Sequence, residues 1–190
     1  MTDLNTRDYQ GLTIPSAGTY ILDAAHKRVG FVVRHLMVSK IRGDFGEATA
    51  TITIAEDPLQ SSVTATIATA SVNTGQPDRD NHLRSGDFFE ADKYPSIEYQ
   101  STGVKSLGGN EFKLLGDLTI KGVTKAVDLL VEFEGAGRSP FGQDIFGFSA
   151  TAEIDREDWG LSYNMALEAG GVVVGKQVKI EIEGEAIRQA

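Results

Sequence analysis

Four charged residues, Asp155, Arg156, Glu157 and Asp158, crowd beside the only tryptophan, Trp159. Close carboxylates can work as an acid–base pair, so this run is the first candidate for catalysis. The same residues also fit a solvated turn with a buried indole. Three histidines, His26, His35 and His82, offer imidazoles for proton transfer or metal ligation. Their separations match no local ligand motif. His26 and His82 fall in polar stretches and are expected to fix loop backbones. His35 lies in an apolar segment, either as a satisfied core imidazole or as a hydrogen-bonding group for a ligand head. The chain has no cysteine, which removes disulfides, thiolate metal sites and cysteine nucleophiles. It has no Gly-x-Ser-x-Gly elbow, phosphate loop or dinucleotide fingerprint. The expectation is no catalytic residue, no metal site and no cofactor.

The most unusual stretch is Arg79–Pro95, which is charged, lacks β-branched residues, and sets Phe88 and Phe89 among acids. Long inserts without strand character in a strand-rich chain are commonly binding loops, lids or plugs. Asp80 and Arg84 stand four apart and can pair on one helical turn. Leu83, Phe88 and Phe89 would then dock on the rest of the fold, as a static plug or a gating lid.

The elements that must position these residues are mostly strands. Segments 19–23, 29–36, 41–54, 63–72, 97–104, 112–121, 126–135, 146–154 and 178–187 have strand character. Phe112, Leu114, Gly116, Leu118 and Ile120 share one face, as do Val127, Leu129, Val131 and Phe133. In the last segment Val178, Ile180 and Ile182 oppose Lys179, Glu181 and Glu183. A change of phase at Gly46 predicts a β-bulge. Residues 107–110 and 121–124 read as hairpin turns. One wet and one buried face mean antiparallel sheet. Long strands on short turns favour an all-β up-and-down barrel over a sandwich, because closure removes exposed edges. Small residues at inward positions (Ala48, Ala50, Ala65, Gly103, Gly116, Ala150, Ala152) predict a hollow barrel, unless they face outward or accommodate a helix. Short helices are expected in the 75–95 and 158–170 connections, the second ending at Gly170-Gly171.

The 190 residues, 41% hydrophobic, suit one domain, here 17–190, preceded by a flexible polar arm over 1–16. The net charge of −9 argues against nucleic acid and against electrostatic docking on anionic membranes. No apolar run approaches the roughly 20 residues of a membrane helix, so no stable membrane insertion is expected. The first residues lack the basic and apolar regions of a signal peptide, which gives a cytoplasmic expectation.

Four segments in order carry a family resemblance. They are Ala17–Asp23 with His26 and Val29–Phe45; the 79–95 insert; Gly116–Lys125; and Asp155–Leu161 with Gly170–Gly175. Together they resemble the YceI family of lipocalin-like proteins over about residues 15–190. The resemblance implies an extended eight-stranded antiparallel barrel around a long apolar pocket, binding of polyisoprenoid chains or isoprenoid quinone tails, no established catalysis, and a homodimer as an oligomeric state.

On this reading the pocket wall comprises Phe31, Val33, His35, Phe45 and Ile67, then Phe88, Phe89, Ile97, Tyr99, Leu118 and Leu129. Val131, Phe133, Phe148, Trp159 and Met165 complete it. The expected function is non-enzymatic binding, storage or transport of a long isoprenoid lipid. Two alternatives stand beside it: an enzyme acting on a lipid-like substrate, and a packed-barrel interaction protein without a lipid.

Overall fold

Apolar side chains on every second residue give each long segment one face to bury, and antiparallel pairing buries it against its neighbours. The structure is a computed structural model and describes residues 5–190. Its strands are β1 (Thr6–Tyr9), β2 (Leu12–Pro15), β3 (Gly18–His35), β4 (Ser39–Phe45), β5 (Ala48–Ile54), β6 (Ser62–Ala68) and β7 (Val72–Asn73). Helix α1 (Pro77–Arg84) follows, then β8 (Ser96–Gly108), β9 (Glu111–Ile120), β10 (Val123–Ala126), β11 (Leu129–Arg138), β12 (Asp144–Asp155) and β13 (Val174–Arg188).

Neighbours pair in sequence order, and β13 closes the sheet on β3, with Ile180 opposite Phe31 and Ile187 opposite Ile21. The result is a closed barrel of eight antiparallel staves. Two staves are interrupted. β4 and β5 both lie along β3, and β10 and β11 both lie along β9 in one register, Val123 opposite Ile120 and Leu129 opposite Leu114. The first break falls at Gly46, where a bulge was expected: β7 edges in beside Phe45, and Gly46 N–H donates to the Ser71 carbonyl at 3.1 Å. The 121–124 turn holds Lys121 at φ 50° and Gly122 at φ 74°, the twist that a two-residue hairpin requires.

Three expectations need correction. Within the stretch read as a flexible arm, β1 and β2 pair as a hairpin, with Ile14 and Pro15 buried; residues 1–4 lie outside the described residues. Segments 19–23 and 29–36 form one strand, whose extra residues bulge between Leu22 and Lys27 opposite Gly184–Ala186. No helix forms over 160–171. Only a single 3₁₀ turn, Arg156–Trp159, precedes a ribbon that folds back through an Ala166–Val172 bridge. Gly170 and Gly171 reverse this ribbon at φ 84° and 97°, which a helical continuation would forbid. The Asn164 amide then bonds both the carbonyl and the N–H of Val174, at 2.7 and 3.1 Å. Among the described residues no helix is long and apolar enough to cross a membrane.

Candidate functional site

The inward faces do not meet across the barrel. They leave a cavity of about 370 Å³ with an almost wholly apolar wall, inside the range of about 300–1,000 Å³ usual for ligand pockets. Ala48, Ala50, Ala65 and Ala150 stand on its wall, where larger side chains would fill the space. At one end Phe45 lies 5.8 Å from Phe31 and 5.7 Å from Phe89, ring centre to ring centre. At the other, Phe146 lies 6.3 Å from Phe133 and 6.1 Å from Phe148.

Most of the expected wall residues stand on this wall. Phe31, Val33, Phe45, Ile67, Ile97 and Tyr99 do so, as do Leu118, Leu129, Val131, Phe133 and Phe148. Phe88 and Phe89 reach it from the insert.

Three do not. His35 is half-buried at the outer end of β3, off the wall, and its carbonyl accepts from Val38 N–H at 3.2 Å and the Ser39 hydroxyl at 3.3 Å. Trp159 is buried behind the wall, its indole N–H bonded to the Leu118 carbonyl at 3.1 Å. Met165 is 58% exposed, because the ribbon that was expected to be a helix turns it outward.

The sequence reading also missed wall residues. Ile14 and Pro15 come from the hairpin, Leu83 from α1, Arg156 and Leu161 from the turn after β12, and Ile180 and Ile182 from β13. The last two had a signal in their alternation with charged neighbours, and Ile14 had one in Leu12-Thr13-Ile14. Gly116 is small for a different reason than expected: a Cβ there would meet the Tyr99 ring at 2.3 Å.

Few polar groups reach the wall, and the two largest are engaged. The Tyr99 hydroxyl sits 3.2 Å from the Leu114 carbonyl and 3.0 Å from that of Val127. Burial pushes its pKa well up, with Asp128 and Asp117 adding to the shift, so the phenol stays neutral. Arg156, expected on a solvated turn, is buried. It donates to the carbonyls of Gly175 (2.9 Å), Val174 (3.3 Å) and Leu161, and stands 6.0 Å over the Phe88 ring. Burial lowers its pKa, but an arginine remains charged under ordinary conditions. Asp155 caps the 3₁₀ turn through Glu157 N–H at 2.9 Å, and Glu157 pairs with Lys176 at 2.8 Å. The charged run is therefore a knot that ties the 160–175 ribbon to the barrel.

The insert closes the end beside Phe31 and Phe45. Asp80 does not pair with Arg84. Its carboxylate accepts from the N–H (2.9 Å) and hydroxyl (2.5 Å) of Thr74, while Arg84 donates to the carbonyls of Ala70 (2.8 Å) and Val72 (3.0 Å). His82 bonds the Asp87 carboxylate at 2.8 Å and packs edge-on against Phe88 and Tyr163. Outside the barrel, His26 lies 2.6 Å from Asp23 and 3.9 Å from Glu185 at the β3 bulge. Both histidines thus engage carboxylates rather than loop backbone.

Comparison with known proteins agrees with this architecture. A family model described as "YceI-like domain" matches residues 20–186. The UPF0312 protein SA2479 of Staphylococcus aureus is 40% identical over 168 residues, covering 87% of this chain and 95% of that protein. A Campylobacter jejuni YCEI protein structure aligns with TM-score 0.71 at 30% identity, covering 83% of this chain and 90% of that one. A polyisoprenoid binding domain from Saccharophagus degradans, implicated in plant cell wall breakdown, shares the fold with TM-score 0.66 at 16% identity, over 92% and 100% of the two chains.

Proposed function

The chain belongs to the YceI family, and from that premise we propose that it binds a long isoprenoid chain inside the barrel, to store or carry it. The observation that carries this reading is the apolar cavity, flanked at both ends by aromatic rings. Strands of ten residues tilted as in a small barrel cover about 25 Å of axis, a length suited to an extended chain. Each buried methylene-sized unit contributes about 0.8 kcal/mol, and ordering the chain offsets part of that gain. The polyisoprenoid named for the Saccharophagus domain is a ligand of fitting chemistry. We read the site as a binder rather than an enzyme because the phenol of Tyr99 and the guanidinium of Arg156 are already held by backbone carbonyls.

Native mass spectrometry of freshly purified protein tests the proposal. The expected result is a retained apolar ligand, or uptake of a prenyl lipid after solvent extraction. Absence of both would overturn it. Val131→Asp and Phe31→Asp place a carboxylate on the wall and should lower uptake by more than about 100-fold. Undiminished uptake would place the lipid elsewhere.

A further inference from the structure

We propose that the β3–β4 turn, with the adjoining 164–173 ribbon, is a tip that docks on an anionic lipid bilayer. Leu36 and Met37 occupy the two central positions of this turn at φ 51° and 61°, with Val38 N–H bonded back to the His35 carbonyl at 3.2 Å. Bulky residues seldom enter that left-handed region, and two-residue turns of this twist favour Asn-Gly. Here they hold apolar side chains in solvent: Leu36 is 39% exposed, Met37 54% and Val38 83%. Leu36 N–H donates to the Val173 carbonyl (2.8 Å), and Val173 N–H donates to that of Met165 (3.1 Å). The exposed Met165 therefore belongs to the same ribbon edge.

Cations stand behind this tip. Arg34 and Lys40 are both exposed and face each other across the β3–β4 register, an arrangement of like charges that opposes pairing. Among the described residues no ion pair joins Arg34 or Lys40 to an acid. Arg42 stands in the field of Glu181, whose pKa Lys179, Arg28 and Arg42 lower together. The pairs nearby are Arg28 with Asp44 and Glu181, Lys176 with Glu157, and Lys179 with Glu181. In a chain of net charge −9 this basic collar is local, and it complements an anionic surface. Glu168, exposed on the ribbon, is set against it. Arg34 lies two residues behind Leu36, about 7 Å along a strand, which matches the depth of about 5–10 Å to which surface-bound segments sink their apolar face. Aliphatic and thioether side chains protruding from a turn suit a fluid apolar layer beneath charged headgroups. Docking is independent of what fills the cavity, so it is tested on solvent-extracted protein.

Flotation with phosphatidylcholine vesicles, with and without phosphatidylglycerol, is the experiment. The protein should float with the anionic vesicles and lose affinity as salt rises. Arg34→Gln and Lys40→Gln should each weaken binding about five-fold, Met37→Ser with Val38→Ser should abolish it, and Glu168→Gln should strengthen it. Leu36→Asn with Met37→Gly should raise the melting temperature, by relieving the turn, while binding falls; this separates a docking role from a folding role. No flotation with anionic vesicles, or flotation unchanged in both the cation and apolar variants, overturns the proposal. So does a dimer that Met37→Ser with Val38→Ser dissolves in protein that ignores vesicles, because the tip would then face a second copy.

Discussion

The two ends of the barrel are closed in different ways. At the end beside Phe31 and Phe45, the 69–95 insert reaches into the interior: Phe88 is 7% exposed, Phe89 packs on Phe45, and the buried Thr69 hydroxyl donates to the Tyr94 carbonyl at 2.6 Å. Arg84, Asp80 and Arg156 add bonds to backbone from three directions. The opposite end carries the Thr6–Pro15 hairpin, which contributes Ile14 and Pro15 to the cavity wall and is tied through the Arg7 guanidinium to the carbonyls of Ala55 and Glu56. Arg7 Nε is buried without a hydrogen-bond partner among the described residues, a cost that the insert does not carry. A stopper made of core aromatics is part of what holds the barrel together. A cover held by Ile14, Pro15, the Arg7 guanidinium and a hydrogen bond from Asn5 to Asp144 places no aromatic ring in the core, and its amides should exchange faster with solvent.

Graded substitutions can break that contrast. Phe88→Ala should cost about 3–5 kcal/mol in denaturant unfolding, the largest effect expected at either end. Ile14→Ala should cost about 2 kcal/mol by the same measurement. If Ile14→Ala proves as damaging as Phe88→Ala, the asymmetry is wrong. Thr69→Val keeps the shape but leaves the Tyr94 carbonyl without its donor, for about 1–2 kcal/mol. The smallest effect is outside the barrel wall. The Asp23 hydrogen bond, with the charge of Glu185, raises the His26 pKa above its usual 6.5. Any stabilisation from protonated His26 is therefore complete below the unfolded-state value and is lost as pH rises through the folded-state pKa. An NMR titration should show a raised midpoint that returns toward 6.5 in Asp23→Asn; an unchanged midpoint would show that this pair does not form in solution.

Much of the barrel was legible in the chain because strand alternation is written locally. β9 shows this: Leu114, Leu118 and Ile120 are buried as their period requires. The cavity wall was legible to the same depth, since a residue on the apolar face of a mid-barrel stave has only the interior to face. Legibility failed at the end of β3, in the ribbon before β13, and beside a ring that fills the place of a side chain. His35 continues the phase of Phe31 and Val33 but lies past the last residue that the cavity reaches. Met165 was assigned inward on a helix that two reversing glycines do not permit. Gly116 was read as a mark of empty space, when the Tyr99 ring occupies the place of its missing Cβ.

By itself, then, the sequence determined which face of each strand is apolar, where the tight turns fall, and that the 79–95 insert cannot join the sheet, because period, turn chemistry and charge act over a few neighbouring residues. Only the tertiary structure decided that β13 closes on β3, that the insert stops one end of the cavity, that Arg156 is buried while Met165 is not, and that Arg34 and Lys40 stand behind an exposed apolar turn. Those outcomes depend on which distant segments cross each strand end, and packing, not periodicity, sets that.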